Sequence, residues 1–263
     1  MKVLFCLPAY GSSVRVETML AVAASTMHMT QNIPNLELRL FGIDMAEISR
    51  VRNLFASLAL EENYDAMIML DSDMGVPGDT FTRLLLSPHE VCGLTYPKRE
   101  IDLERFHRMA ATGADFNTCK TGALNFIAAD AFVHNNGQIA VNDSFLQMHD
   151  LPGGCMMIRR SALEKLWKKL PDIRQTKHIA DIEGQMGLKR IIRCFDNIQS
   201  GDNKFSEDIS FCRRWASVGG TLFALFDIPV AHYGHMKFEG AYSDNLMARA
   251  RDIQTLPRPG VVP

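Results

Sequence analysis

Residues 66–74 read Ala-Met-Ile-Met-Leu-Asp-Ser-Asp-Met, an apolar run followed at once by two carboxylates. The run Ala66–Leu70 is typical of a central strand that is buried on both faces of a parallel sheet. Alternate residues of an extended segment point the same way, so Asp71 and Asp73 can face one ion or ligand together. Two like charges this close repel each other unless a cation lies between them, and hard oxygen ligands suit Mg²⁺ or Mn²⁺. The stretch predicts a metal-binding carboxylate pair, with an ordinary Asp-rich loop as the alternative.

The first half of the chain alternates between strand and helix patterns on either side of this stretch. Strands are predicted at 2–7, 36–43, 66–70 and 90–96, and helices at 14–30, 46–62 and 79–86. This order predicts an α/β fold with a mostly parallel central sheet flanked by helices. In such sheets, ligands bind beyond the carboxyl ends of the strands.

The second half is less regular. Two apolar runs, 123–129 and 138–148, flank Asn136-Gly137, which predicts an added β-hairpin. Ser161 with Glu164 three residues later forms the pattern of a capping box, which predicts a helix start at Ser161. Further along, we predict a polar, loop-rich segment at 171–205, a helix at 207–218, a strand at 221–226 and a short helix from about 242.

Composition and charge narrow the class of protein. The 263 residues carry a net charge of −2, so the overall charge does not indicate the basic surface that nucleic-acid binding requires. No apolar stretch approaches the ~20 residues of a membrane span, and the first residues lack the pattern of a signal peptide. Six scattered cysteines show no zinc-type spacing. We therefore expect a cytoplasmic protein with reduced thiols.

Several blocks together resemble the GT-A fold glycosyltransferases, in particular the family 2-like enzymes with an Asp-x-Asp motif. The blocks occur in the family's order: LFCLPAYG at 4–11, SRVRN at 49–53, MIMLDSDM at 67–74, GLTYPKR at 93–99, PGGCMMIRR at 152–160, SEDISFCRRW at 206–215 and HYG at 232–234. The resemblance runs along most of the chain. It implies one GT-A domain over 1–263, with a nucleotide-sugar-binding half at 1–100, an acceptor-side half at 101–240 and a tail at 241–263.

The resemblance also implies a metal site that binds Mn²⁺ or Mg²⁺. Asp71 is expected to approach the ribose and the metal, and Asp73 to ligate the metal directly. His232, at the end of an apolar run, corresponds to the family's third protein ligand, and neutral imidazole suits Mn²⁺ beside carboxylates. His235 is the nearby alternative. Either histidine could instead have a purely structural role, as a core residue bonded to the backbone.

Further residues are expected to bind the nucleotide-sugar. Tyr10 at the end of the first strand could stack on uracil, and Arg52 could reach the base or a phosphate. Gly153 and Gly154 allow close backbone approach to donor or acceptor. The predicted binding set is Pro8, Ala9, Tyr10, Arg52, Asn53, Asp71, Ser72, Asp73, Lys98, Arg99, Gly153 and Gly154. The structural alternative for Tyr10 is a surface aromatic in a turn, and for Arg52 it is a solvated helix residue.

Glu207 and Asp208 open a predicted helix. Acidic residues in a first turn are favoured by the helix dipole, so capping alone would explain them. By resemblance, Asp208 faces the acceptor, where a carboxylate can take the proton from an attacking hydroxyl. The stereochemistry stays open, since inverting and retaining members of the family both resemble this block.

The predicted function is metal-dependent transfer of a sugar, with a UDP-sugar favoured as donor, to an acceptor hydroxyl. A glycan, a protein, a small molecule or a modified DNA base all fit as acceptor, and the segment 171–205 could close over the donor as a lid. Two alternatives remain: a phage-type glycosyltransferase acting on a hydroxymethylated DNA base, and a catalytically degenerate domain that only binds nucleotide-sugar. A sugar-nucleotide pyrophosphorylase is disfavoured because residues 8–15 lack the Gly-rich loop of those enzymes.

Overall fold

The computed structural model describes residues 1–127, 141–175 and 186–255. Its helices are α1 (Val16–Asn32), α2 (Ile48–Glu61), α3 (Thr80–Leu86), α4 (Leu103–Ala111), α5 (Phe116–Gly122), α6 (Arg160–Lys169), α7 (Glu207–Ser217) and α8 (Tyr242–Thr255). Its strands are β1 (Lys2–Pro8), β2 (Glu37–Ile43), β3 (Ala66–Leu70), β4 (Met74–Gly75), β5 (Val91–Gly93), β6 (Pro97–Ile101), β7 (Leu124–Phe126), β8 (Val141–Asn142), β9 (Phe145–Met148), β10 (Cys155–Arg159), β11 (Arg174–Gln175), β12 (Ile191–Ile192), β13 (Gln199–Ser200), β14 (Asn203–Lys204), β15 (Leu222–Leu225), β16 (Pro229–Tyr233) and β17 (Lys237–Ala241).

Among the described residues, the central sheet has eight strands in the order β2-β1-β3-β10-β5-β15-β9-β8. β1 pairs parallel with β2 and β3, and β5 pairs parallel with β15. β10 lies antiparallel between β3 and β5, and β9 is antiparallel to both β15 and β8. The predicted α/β fold, with helices flanking a central sheet, is confirmed; the sheet is mixed, with three parallel and four antiparallel strand pairings.

β3 shows why the sequence pattern located the centre of this sheet. All five of its residues are buried. Met67 and Met69 belong to the core beneath α2, α6 and α7, while Ile68 and Leu70 belong to the core beneath α1 and α3. A strand with an apolar layer on each face has no polar side, which explains the continuous apolar run. The methionines of this run are core residues.

A smaller sheet carries the C-terminal block to the Asp-x-Asp motif. It has the order β17-β16-β4, and in it His232 on β16 lies opposite Met74 on β4. Because β4 begins one residue after Asp73, this pairing brings His232 to the end of the central strand β3.

The predicted capping box is wrong. α6 begins at Arg160, directly after β10, and its N-cap residue Arg159 makes no side-chain cap. The hydroxyl of Ser161 donates instead to Oε1 of Glu90 at 2.7 Å, so a contact from a distant part of the chain has replaced the local one.

The predicted hairpin turn at Asn136-Gly137 lies outside the described residues. Of its two flanking runs, Leu124–Phe126 pairs with β6 in a separate sheet, whereas Phe145–Met148 forms part of the central sheet. A hairpin is present between β8 and β9, with its turn at Asp143 and Ser144, both of which have positive φ. The predicted short C-terminal helix is 14 residues long.

The described part of the loop-rich segment is packed onto the core. Ile192, Cys194 and Phe195 are fully buried. The carbonyl oxygen of Cys194 accepts from Nη1 of Arg214 at 3.0 Å. The lid role of 171–205 stays a prediction, and residues 176–185 of it lie outside the described part.

The sequence also predicts reduced thiols and no membrane-spanning segment. All six cysteines are buried and free of disulfides. Burial raises the pKa of Cys92 and Cys194 to about 12. Within the three described ranges, none of the helices combines the length and the apolar character that crossing a membrane requires.

Candidate active site

Backbone hydrogen bonds hold the Asp-x-Asp motif in place at the carboxyl end of β3. The amide of Asp71 donates to the carbonyl of Gly154 at 2.8 Å, and the carbonyl of Asp73 accepts from the amide of Tyr233 at 2.9 Å. The carbonyl of Ser72 accepts from the amide of Arg15 at 3.0 Å. Three distant segments therefore fix the main chain that carries the two carboxylates.

Asp73 faces two groups from other strands. Its Oδ2 atom forms an ion pair with Arg99 of β6 and lies 3.8 Å from Nε2 of His232. The opposite ring nitrogen of His232, Nδ1, contacts the carbonyl of Pro97 at 2.9 Å. A carbonyl can only accept, so Nδ1 carries the proton and, in the neutral ring, Nε2 presents a lone pair toward Asp73.

The electrostatic surroundings favour the neutral imidazole. Burial lowers the pKa of His232, and the Arg99 guanidinium lowers it further, against the opposing effect of the Pro97 hydrogen bond. The Tyr96 ring packs edge-on against the His232 ring, with 5.3 Å between centroids. A histidine oriented by a backbone carbonyl with its other nitrogen free is the usual arrangement of a metal-ligating histidine.

The donor groups of this region fit a divalent cation in part. Across the described ranges, no three His, Cys, Asp or Glu side chains already surround one point as a metal site would. Asp73 and His232 offer a carboxylate oxygen and an imidazole nitrogen, which suit Mn²⁺ or Mg²⁺. A cation bound by Asp73 would take the place that Arg99 now holds. Asp71 also faces an arginine, Arg52.

Arg52 lies between two carboxylates in the interior. Its side chain is 3% exposed, and Nη2 donates to Oδ1 and Oδ2 of Asp71 at 3.1 and 3.3 Å. Nη1 donates to Oε1 of Glu207. Burial opposes the charge of Arg52, but Asp71 and Glu207 together raise its pKa above the ordinary value. Arg52, predicted as a nucleotide contact, is thus bonded to protein carboxylates from two different segments.

The Gly-Gly turn before β10 makes room for this network. A Cβ added to Gly153 would collide with the Arg52 guanidinium, and one added to Gly154 would collide with the Tyr96 hydroxyl. The amide of Gly154 donates to that hydroxyl at 3.1 Å. Burial and the nearby Asp71 raise the pKa of Tyr96, so this phenol stays protonated.

Glu207 and Asp208 open α7 on the other side of the turn. Oδ2 of Asp208 accepts from the amide of Gly153 at 3.3 Å, and Oδ1 accepts from the Ser206 hydroxyl. Burial raises the pKa of Glu207, and the attraction of Arg52 offsets this only in part. Of the two predicted catalytic carboxylates, Asp208 is therefore joined to the predicted Gly-Gly turn and Glu207, through Arg52, to Asp71.

A cavity of about 650 Å³ opens beside Asp73. Its lining combines two arginines with backbone and side chains of the C-terminal block: Ser13, Arg15, Ser72, Asp73, Arg99, Tyr233, Gly234, His235, Met236 and Phe238. Arg15 lies over the Tyr233 ring, 5.5 Å from its centroid. The cavity has the size of a small-molecule site and adjoins the groups suited to a cation.

The remaining predicted binding residues are spread around this edge of the sheet. Pro8 ends β1, and the amide of Ala9 donates to the carbonyl of Ile43 at 2.9 Å. Tyr10 is 70% exposed, and Lys98 is exposed with its ammonium 3.9 Å from Glu100.

Asn53 has a different position from the exposed members of the set. Its side chain is buried, donating to Oδ1 of Asp196 at 2.6 Å and accepting from the amide of Phe195 at 2.7 Å. It thus anchors the segment before α7. None of these contacts assigns a nucleotide role, which stays a prediction for each residue.

Arg15 and Tyr96 are among the residues of the site that were absent from the predicted set. Arg15 lines the cavity beside Asp73, and Tyr96 bonds the Gly-Gly turn. Tyr96 stands shortly after a strand, at the sheet edge where ligands bind, and that position was an available signal. No local pattern distinguished Arg15 from an ordinary exposed arginine.

The sequence matches no protein-family model and no curated protein. Among solved structures, the chain is similar to A197 from STIV, at 14% identity and a TM-score of 0.45, over 93% of this chain and 92% of that one. It is similar to GalNAc-T7 with UDP, GalNAc and Mn²⁺, at 10% identity and a TM-score of 0.44, over 98% of this chain and 48% of that one. It therefore spans about half the length of that second protein.

A third similar structure is 4-diphosphocytidyl-2C-methyl-D-erythritol synthase from Anaerococcus prevotii DSM 20548, at 8% identity and a TM-score of 0.30, over 82% of this chain and 98% of that one. These likenesses are distant.

Proposed function

We propose that this protein transfers a sugar from a nucleoside-diphosphate sugar, with a UDP-sugar favoured, to an acceptor hydroxyl, using Mn²⁺ or Mg²⁺. The observation that carries this proposal is the meeting of Asp73 and His232, 3.8 Å apart, beside the cavity lined by Arg15 and Arg99. Carboxylate, imidazole and guanidinium groups around one small cavity suit a diphosphate with its cation.

On the donor side, Asp73 and His232 would hold the cation, with Asp71 beside them. When bound, a divalent ion supplies the positive charge that a departing diphosphate requires. Arg99 and Arg15 line the same cavity and can donate to phosphate oxygens. Arg99 would leave Asp73 for a phosphate oxygen of the donor, and the cation would take its place beside Asp73. The guanidinium and the carboxylate would then each keep an oppositely charged partner.

On the acceptor side, Asp208 would accept the proton of the attacking hydroxyl, with Glu207 as the neighbouring carboxylate. The Gly153 amide and the Ser206 hydroxyl orient the Asp208 carboxylate. General-base catalysis needs such a fixed carboxylate within hydrogen-bond reach of the hydroxyl. Arg52 would act as a positioning residue, since it bonds both Asp71 and Glu207.

The experiment is release of free nucleoside diphosphate from a panel of nucleotide-sugars, with Mn²⁺ or with EDTA. Slow donor hydrolysis needs no knowledge of the acceptor. Wild type is compared with Asp73→Ala and with Asp172→Ala, which removes an exposed carboxylate after α6. We expect metal-dependent release from one donor, lost in the first variant and kept in the second.

Equal release by wild type and Asp73→Ala would contradict the proposal. Binding of a nucleotide-sugar without release, with acceptor panels of glycans, proteins and hydroxymethylated DNA supplied, would favour the degenerate binding domain instead.

A further inference from the structure

Tyr96 lies between β5 and β6, where the chain leaves the central sheet. It is 5% exposed. Its carbonyl accepts from the amide of Ile127 at 2.9 Å, which fixes the main chain of this segment. The ring and the hydroxyl of this buried side chain contact two different parts of the candidate active site, and both contacts are with residues distant in the sequence.

The ring contacts the imidazole of His232. The two rings pack edge-on, with 5.3 Å between their centroids. The next residue, Pro97, contacts Nδ1 of the same imidazole through its carbonyl at 2.9 Å. Two consecutive residues therefore hold His232: the Pro97 carbonyl selects the tautomer, and the Tyr96 ring limits the rotation of the imidazole. Groups that orient a metal-ligating histidine in this way raise its affinity for the metal.

The hydroxyl holds the Gly-Gly turn. It accepts from the amide of Gly154 at 3.1 Å, while the carbonyl of Gly154 accepts from the amide of Asp71 at 2.8 Å. The neighbouring amide, of Gly153, donates to Oδ2 of Asp208 at 3.3 Å. The position of the turn therefore sets one of the bonds that orient the Asp208 carboxylate.

Packing alone does not require this hydroxyl. A phenylalanine would fill the same space and present the same ring, whereas a buried hydroxyl costs free energy unless it is hydrogen-bonded. Burial raises the pKa of Tyr96, so the group stays a neutral phenol. The hydroxyl has its partner in the Gly-Gly turn, which indicates that this bond contributes to the position of the turn.

We propose that Tyr96 is a positioning residue for both sides of the reaction, a role that rests on the proposed glycosyl transfer. Its ring holds His232 so that Nε2 is presented to the cation. Its hydroxyl holds the Gly-Gly turn so that Asp208 faces the acceptor hydroxyl. The two contacts use different atoms of one side chain, and separate substitutions can therefore remove them.

Two substitutions separate the contacts. Tyr96→Phe removes the hydroxyl and keeps the ring, and Tyr96→Leu removes both. Tyr64→Phe and Tyr64→Leu are the matched controls, because Tyr64 is also buried, at 2% exposed, and its hydroxyl donates to Oε2 of Glu62 at 3.1 Å. Tyr64 precedes β3 and so lies at the opposite end of that strand from Asp71. The melting temperature of each variant checks that it is folded.

Two quantities are measured: Mn²⁺ binding without nucleotide, from the electron paramagnetic resonance signal of the free ion, and the rate of nucleoside diphosphate release at saturating Mn²⁺. We expect Tyr96→Leu to bind Mn²⁺ at least about fivefold more weakly, since His232 is no longer held. We expect Tyr96→Phe to bind Mn²⁺ as the wild type does but to release nucleoside diphosphate at least about fivefold more slowly, since Asp208 is less well oriented. Both controls should match the wild type.

Double variants test whether Tyr96 acts through these neighbours. In a His232→Ala background, Tyr96→Leu should not weaken Mn²⁺ binding further, and in an Asp208→Asn background, Tyr96→Phe should not slow release further. Additive losses in either pair would overturn the proposal. So would wild-type release by Tyr96→Phe, wild-type Mn²⁺ binding by Tyr96→Leu, or equal losses in the Tyr64 controls.

A measurement without turnover separates this inference from the proposed function. The amide of Gly154 should exchange its hydrogen faster in Tyr96→Phe than in the wild type, because its acceptor is lost, and unchanged exchange would overturn the role of the hydroxyl. If the wild type releases no nucleoside diphosphate, but exchange and Mn²⁺ binding change as expected, the positioning of the turn and of His232 stands and the proposed function fails. Absence of Mn²⁺ binding to the wild type would overturn the role of the ring.

Discussion

Nε2 of His232 lies 3.8 Å from Oδ2 of Asp73, although the two residues come from opposite halves of the chain. The pairing of β16 with β4 produces this approach, because it places His232 opposite Met74, the residue after Asp73. The Pro97 carbonyl accepts from Nδ1, so Nε2 is the unprotonated nitrogen of the neutral ring and lies on the side of the Asp73 carboxylate. Main-chain pairing therefore sets the position of the two groups, and the contact with the Pro97 carbonyl sets the orientation of the imidazole.

His232→Ala should weaken the response to metal. Removing a nitrogen ligand lowers metal affinity, and we expect the Mn²⁺ concentration for half-maximal nucleoside diphosphate release to rise at least about tenfold. His235→Ala is the matched control, since His235 is exposed and lines the cavity beside Asp73. A larger effect in the control would reassign the ligand to His235.

Arg52→Met should destabilise the fold. It removes the shared partner of Asp71 and Glu207 and leaves two partly buried carboxylates facing each other, at a cost of about 3 kcal/mol in the free energy of unfolding. Arg39→Met, which breaks the exposed pair with Glu62, should cost less than about 1 kcal/mol. Urea unfolding measures both, and equal losses would show that the Arg52 network contributes no more than a surface pair.

Gly154→Ala should be poorly tolerated. The new methyl group would collide with the Tyr96 hydroxyl and approach Oδ2 of Asp71 to 3.1 Å, so we expect a loss of at least about 2 kcal/mol in unfolding free energy. Gly42→Ala is the control in β2, where the nearest atom would lie at an ordinary 3.6 Å. Thermal unfolding compares the two, and a variant as stable as the wild type would mean that the turn can shift.

The stability of the fold should fall in acid partly through His89. Its ring stacks on Phe223, with 3.8 Å between centroids, and burial followed by the nearby Arg159 lowers the pKa of His89. The folded state then binds fewer protons than the unfolded state, so this contribution is present above the ordinary histidine pKa of about 6.5 and is lost as the pH falls through the folded pKa.

His89→Phe keeps a stacked ring but cannot titrate. The loss of unfolding free energy between about pH 7 and pH 5 should therefore be smaller in this variant than in the wild type. His107→Gln, an exposed residue of α4, should leave that loss unchanged. Parallel urea titrations at the two pH values test this, and the same pH dependence in wild type and His89→Phe would remove His89 as a cause.

Much of the fold could be predicted because its signals are local. The apolar run of β3 and the helical spacing in α2 each lie within a few residues, and both elements were located to within two residues at each end. The start of α6 was predicted at Ser161, but the helix begins at Arg160. The predicted cap is absent because the Ser161 hydroxyl donates to Glu90, about 70 positions away, and not to a backbone group of its own helix. A capping pattern describes a local option, and tertiary contacts decide whether it is used.

The sequence by itself determined the main alternation of strands and helices from β1 to β5 and placed Asp71 and Asp73 together at the end of a buried strand. Tertiary structure alone decided which cation meets each carboxylate: Arg52 for Asp71 and Arg99 for Asp73. Spacing along one strand fixes the direction of its own side chains, because the backbone geometry repeats every two residues. Partners from other elements depend on sheet order and loop packing, which no local pattern encodes.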